Sequence, residues 1–175
     1  HLKIYDGLPT KEKLKLFSKK FKFSKKIKLK IQNDKNKITS KILNKNIKYN
    51  KSIEKLFISL SKKYKIVVAT NAIQNTLNIC LKKLKIDKYV NFKVSNQNVI
   101  NPKPNPEIYF KIFIKYGIFP YEALILEDSS YGRQAAISSG ANLMPIKEIK
   151  DVTLKNIKTY INNFSKKMND NFKKQ

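Results

Sequence analysis

Ala123-Leu124-Ile125-Leu126-Glu127-Asp128-Ser129-Ser130-Tyr131-Gly132 is the stretch that decides the fold. Its apolar opening is short and continuous, the pattern of a strand buried on both faces. Glu127 and Asp128 follow at once, and a helix over Tyr131 to Ser139 then carries the small residues Gly132, Ala135 and Ala136. Gly140 closes that helix, and Asn142 to Ile146 gives another short strand. Upstream, Ile66-Val67-Val68-Ala69 repeats the pattern and ends in Thr70-Asn71. Leu77, Leu81 and Leu84 mark the helix after it.

Tyr89 to Val94 reads as a weak strand, and Pro102, Pro104 and Pro106 punctuate a loop. Pro106 suits the first turn of a helix holding Ile108, Tyr109, Ile112 and Phe113, which Gly117 ends. Strands alternating with helices in this way predict an α/β fold with a doubly wound parallel sheet, Rossmann-like in layout. Ligands in such folds bind outside the carboxyl ends of the strands. The polar residues after Ala69 and Leu126 are therefore the first candidates for function.

The residues before Asn50 are Lys-rich with scattered apolar positions. Gly7-Leu8-Pro9-Thr10 predicts a turn with Thr10 as N-cap, and Leu14, Phe17 and Phe21 a short amphipathic helix. Ile27, Leu29 and Ile31 alternate with Lys, which fits a strand or an interrupted helix, with the helix preferred; Gln32 to Lys37 reads as a loop and Thr39 to Leu43 as a further helix. Ser52 is the expected cap of a helix carrying Ile53, Leu56, Phe57 and Leu60. A last helix is expected over Leu154 to Phe164, with a frayed tail beyond it.

The 175 residues suit one core domain with a small appendage, and 41% hydrophobic content is enough for a packed core. The formal net charge is +26, which attracts polyanions without selecting among them. Nearly all of it is Lys, and Arg133 is the only Arg, whereas specific phosphate and base readers favour the Arg fork. The Lys residues are spread along the chain and mixed with Ile and Asn, as AT-rich coding would produce. No specific nucleic-acid partner is therefore expected. Cys80 is the only cysteine, in a helical apolar pattern, so no disulfide forms within the chain and no thiolate metal cluster is available. His1 is the only histidine, which removes histidine acid–base chemistry and histidine metal sites. No apolar run approaches the roughly 20 residues that cross a bilayer. A reducing, cytoplasmic setting with no membrane partner is expected, with the chain a monomer or weak dimer.

Thr70-Asn71 offers a hydroxyl and backbone amides that can hold a phosphate oxygen, although taken alone a plain helix N-cap is the favoured reading. Glu127-Asp128 places paired anions at a buried strand end, where Mg²⁺ would relieve their repulsion. An acidic helix N-terminus is the other reading. Lys103 lies in Asn101-Pro102-Lys103-Pro104-Asn105-Pro106-Glu107-Ile108-Tyr109, stiffened by a proline on each side. A fixed ammonium can neutralise a phosphate or screen crowded carboxylates.

In this order the three segments resemble the haloacid-dehalogenase (HAD)-like hydrolase superfamily, close to its phosphatases and β-phosphoglucomutases with a helical cap. The resemblance rests on Val67-Val68-Ala69-Thr70-Asn71, on Lys103 to Tyr109, and on Leu124 to Gly132 with Ala135-Ala136 and Gly140-Ala141. Tyr5-Asp6-Gly7-Leu8-Pro9 resembles part of the cap more weakly. It implies residues 1–48 as partial cap and 49–175 as an α/β core lacking its first strand. It also implies roles. Thr70 and the Asn71 backbone would hold the transferring phosphoryl group, Lys103 would stabilise its charge and orient the nucleophile, and Asp128 would ligate Mg²⁺ with Glu127 as ligand or through water. The substrate would be a small phosphorylated metabolite, and the reaction its hydrolysis through an aspartyl-phosphate.

That chemistry needs an Asp-x-Asp-Gly motif, and the sequence contains none; Asp6-Gly7 is its only Asp-Gly pair and follows no buried strand. With His1 rather than Met at the start, the expectation is either a piece of a longer protein lacking the first strand and part of the cap, or a pseudoenzyme, and in both cases a chain inactive as written. A fragment with exposed apolar sheet edges should fold poorly. A sugar-phosphate mutase of the same superfamily is the nearest alternative. A basic, non-catalytic nucleic-acid-binding module is the alternative of another class, and it predicts binding that falls steeply with salt.

Overall fold

The computed structural model describes residues 7–172. Two compact units result, one ending at Pro102 and the other beginning at Lys103.

In the first unit, α1 (Thr10–Lys20) is followed by α2 (Lys25–Asn46) and α3 (Lys51–Ser61). Two expected caps are displaced. Pro9, not Thr10, precedes the first turn of α1, where its fixed φ suits the helix entry. Asn50, not Ser52, caps α3, its side-chain oxygen accepting from the amides of Ser52 and Ile53 at 3.0 and 3.1 Å. The loop expected over Gln32 to Lys37 is absent: α2 runs through it without a break. No Gly or Pro interrupts that stretch, and the helix propensity of its Lys and Gln carries the helix through the weaker Asn residues. Ser24 caps α2 at the Ile27 amide. No residue of α2 is fully buried, and Ile27, Ile38 and Ile42 stay exposed.

Strand β1 (Val67–Ala69) leads through α4 (Gln74–Lys83) to β2 (Phe92–Val94), which lies parallel to it with Val68 opposite Lys93. The expected strand from Tyr89 starts late, because Asp87–Tyr89 forms a 3₁₀ turn. Leu77, Leu81 and Ile86 form the core here, packed by Ile53, Phe57 and Val68. Cys80 is half-buried in α4, and burial pushes its thiol pKa up, away from the thiolate a nucleophile needs.

The second unit opens with Lys103 and continues into α5 (Glu107–Tyr116), which Gly117 ends at φ +60°. Then come β3 (Leu124–Glu127), α6 (Ser130–Ser138) and β4 (Asn142–Pro145), with β3 and β4 parallel and Glu127 opposite Pro145. Gly140 turns the chain from α6 toward β4 at φ +76°. The final helix, α7, spans Leu154–Phe172, so it runs past Phe164 where a frayed tail was expected. Ile108, Tyr109, Ile112, Phe113, Ala135, Ala136 and Met144 are buried in this unit.

Both parallel pairs with their helical crossovers bear out the α/β class. β1 and β3, expected to be buried on both faces, are instead partly buried along their whole length. Each belongs to a two-stranded sheet among the described residues. No described helix is long and apolar enough to cross a membrane.

Candidate active site

The first unit holds Thr70 and Asn71, directly after β1. The Thr70 amide extends the ladder to the Val94 carbonyl at 2.9 Å. Its hydroxyl oxygen accepts from the Ala72 amide at 3.0 Å, which folds the chain into a tight turn before α4 begins. Thr70 is therefore not the N-cap of α4; Ile73 is, without a side-chain bond. The missing cap comes from a distance, as Gln97 accepts from the Gln74 amide at 2.8 Å. Asn96 ties the same turn from the other side: its side chain donates to the Asn71 carbonyl at 2.8 Å and its amide to the Ala72 carbonyl at 3.1 Å. The Asn71 side chain donates to the Gly7 carbonyl at 2.8 Å. The Tyr5-Asp6 part of the cap-like segment lies outside the described residues. The hydroxyl hydrogen of Thr70 donates to no protein group among the described residues, so it can serve an incoming oxygen.

The second unit brings Lys103 and Glu127 together. The Lys103 ammonium is ion-paired with Glu127 Oε1, and the two side chains are only 6% and 10% exposed. Tyr109, buried in the first turn of α5, donates its hydroxyl to the same oxygen at 2.7 Å. The Lys103 ammonium also lies over the Tyr109 ring, 5.0 Å from its centroid. The Lys103–Pro104 peptide bond is cis. Burial first, and then the Glu127 charge and hydrogen bond, push the Tyr109 phenol far above its ordinary pKa, so it remains a donor.

Gly132 completes this arrangement. A Cβ built there would stand 2.7 Å from Glu127 Oε1 and closer still to Oε2. Only a glycine in the first turn of α6 leaves room for the carboxylate. Ser129 caps that helix by accepting from the Gly132 amide at 3.0 Å, which fixes the turn.

The two adjacent acids meet different fates. Strand alternation turns Glu127 toward Lys103 and leaves the Asp128 side chain exposed. Arg133 donates to the Asp128 backbone carbonyl, not to its carboxylate. Among the described residues nothing pairs with that carboxylate. Glu127 has its counter-charge inside the protein, so no metal is needed to relieve repulsion between the two acids. The case for Mg²⁺ passes to Asp128 as an accessible oxygen ligand. One carboxylate, completed by water and substrate phosphate oxygens, fits the way Mg²⁺ is held. No group of three or more His, Cys, Asp or Glu that could cage a metal exists among the described residues.

The sequence marked Tyr109 only as a helix residue of the Lys-Pro motif and on the apolar face of α5, and Gly132 only as a motif glycine among the small residues of α6. Their spacing signals neither the hydroxyl on Glu127 nor the space that Gly132 leaves. Asn96 and Gln97 carried no signal at all, since their partners lie about 25 residues away in the chain.

Residues 1–146 match the haloacid dehalogenase-like hydrolase family. The chain belongs to that family. A phosphorylated carbohydrates phosphatase of Thermotoga maritima is 28% identical over 137 residues, covering 78% of this chain and 57% of that protein. The chain therefore spans little more than half the length of this curated relative. Among solved structures, a β-phosphoglucomutase of Clostridium difficile is similar at TM-score 0.74 and 22% identity, over 90% of this chain and 79% of that one. A HAD-superfamily hydrolase of Geobacter sulfurreducens is 27% identical at TM-score 0.53, over 57% of this chain and 51% of that one. The Clostridium likeness speaks for the fold. All the candidate residues, from Thr70 to Asp128, fall within the family match.

Proposed function

We propose that this chain supplies the phosphate-holding and metal-holding residues of a phosphatase acting on small phosphorylated metabolites, with phosphorylated sugars the leading class. The observation that carries the reading is Lys103, buried and paired with Glu127, whereas most other lysines whose burial is described are exposed. A cation held this way is organised before any ligand arrives, which is what stabilising a developing phosphoryl charge requires. The Thermotoga relative supports the substrate class.

In this reading the Thr70 hydroxyl donates to a phosphate oxygen and the Asn71 backbone flanks it. Lys103 offsets phosphoryl charge. Asp128 would hold Mg²⁺, whose chemistry is to neutralise phosphate oxygens, and Glu127 serves by orienting Lys103. Residues 1–48 belong to a helical cap that helps select substrate, and 49–175 to the α/β core. The nucleophilic aspartate of an aspartyl-phosphate route is not supplied by an Asp-x-Asp-Gly motif in these residues.

Calorimetric titration of the chain with inorganic phosphate, at moderate salt and with or without Mg²⁺, tests the site without needing turnover. Mg²⁺-dependent phosphate binding is expected, abolished by Asp128→Asn and weakened by Thr70→Ala. Binding that ignores Mg²⁺, resists Asp128→Asn and falls steeply with salt would mean that the overall positive charge alone is at work. An Asp-x-Asp-Gly encoded upstream of His1 would supply the nucleophile. Mg²⁺-dependent hydrolysis of p-nitrophenyl phosphate is then expected of that longer product, and its loss in Lys103→Ala.

A further inference from the structure

We infer that Tyr109 is a positioning residue: its hydroxyl fixes the Glu127 carboxylate, and through that carboxylate the ammonium of Lys103. The inference deepens the phosphoryl-transfer reading, and rests on it only for the use made of a fixed Lys103.

Glu127 has a long side chain with three rotatable bonds, and Lys103 has four, so an ion pair alone leaves both ends several rotamers. Tyr109 removes that freedom. Its ring is held in the core by α5, and the residue is 3% exposed, so its hydroxyl has one place to be. That hydroxyl donates to Glu127 Oε1 at 2.7 Å, the same oxygen that takes Lys103. Gly132 lies against the other side of the carboxylate. The carboxylate is thus held between a phenol and a glycine. Lys103 meets Tyr109 twice, once through the shared oxygen and once across the ring face. A phenylalanine at 109 would fill the core equally well and keep the ring face, but would not hold the Glu127 carboxylate. The phenol also stays protonated throughout the working pH range, so the donor does not switch off.

The test reads Lys103 directly. Ammonium ¹⁵N–¹H correlation spectra of the lysine-labelled chain, taken cold and at mildly acidic pH, lose the exposed lysines to solvent exchange and retain a buried, bonded one. The surviving signal is assigned by its absence in Lys103→Met. Tyr109→Phe keeps the ring and removes only the hydroxyl. Nζ proton exchange in that variant is expected to quicken by about tenfold or more, the factor that one hydrogen bond to a charged group is worth. A residue that merely fills the core would leave Lys103 exchange unchanged, and that result overturns the inference. If Tyr109→Phe does not fold, 3-fluorotyrosine at the same position keeps the shape and strengthens the donor. A displaced Lys103 ammonium signal then supports the inference and an unmoved one overturns it. Phosphate titration of the unaltered chain reports separately on the phosphoryl-transfer reading, so the two cannot fail unnoticed together.

Discussion

Replacing Lys103 by Met removes a buried cation while keeping most of its volume. Two unit charges about 4 Å apart attract by about 4 kcal/mol at an effective dielectric near 20. The Lys103 and Glu127 side chains are 6% and 10% exposed, so little solvent screens them. The same burial makes the isolated charges expensive, and breaking one partner out of such a pair typically costs about 3–5 kcal/mol because the other charge is stranded. Tyr109 still donates to Glu127 in the variant, which places Lys103→Met at the low end, about 3 kcal/mol. Glu127→Gln should cost a similar amount, since it removes the counter-charge of the ammonium. The double variant removes both charges and should recover about half of the summed loss, a coupling of about 3 kcal/mol. Urea denaturation at neutral pH measures all of these, with unchanged m-values as the check on two-state unfolding. If both single variants cost under about 1 kcal/mol and the effects simply add, the pair is solvated in solution. Lys103 is then not organised before a ligand arrives.

Gly132→Ala should destabilise by about 1–3 kcal/mol although alanine is the better helix former, because its Cβ meets the Glu127 carboxylate; thermal melts read this directly, and a stabilised variant would show that Glu127 has room to move. Alkaline pH gives a further check. The folded Tyr109 pKa is raised, so the unfolded chain gives up its proton first, and the stabilisation present below pH 10.0 declines as pH rises above it. Tyr109→Phe should flatten that part of the stability profile, measured by urea midpoints between neutral and alkaline pH. Asn50→Ala should cost about 1 kcal/mol through loss of the α3 cap, whereas Ser52→Ala should cost little; equal losses would return the cap to Ser52.

The strand ends were legible in the sequence because Ile66–Ala69 and Ala123–Leu126 are short apolar runs followed at once by polar residues. Gly117 and Gly140 were legible for a similar reason, each standing at a positive φ that the chain direction demands. Helix boundaries were less so. Gln32 to Lys37 looks like a loop by polarity alone, yet an exposed helix needs no apolar stripe through its middle when nothing breaks it. The two caps slipped for different reasons: no side chain caps α1, whose first turn follows Pro9, whereas Asn50 stands ahead of Ser52 and takes two orphan amides of α3. At the site, residue types revealed Lys103, Glu127 and Asp128, but not who neutralises whom. That depends on which face of β3 each acid occupies and on a phenol arriving from α5.

The opposite orientation of Glu127 and Asp128 makes spacing more critical than chemistry at this turn. A single residue inserted into or deleted from Leu124–Glu127 would rotate the strand end by half its period. Asp128 would then face Lys103 with a side chain one methylene too short, and a glutamate would stand outside. Many substitutions here would be partial losses, graded by size and charge. A change of length would exchange the two duties at once, and neither acid could perform the other's.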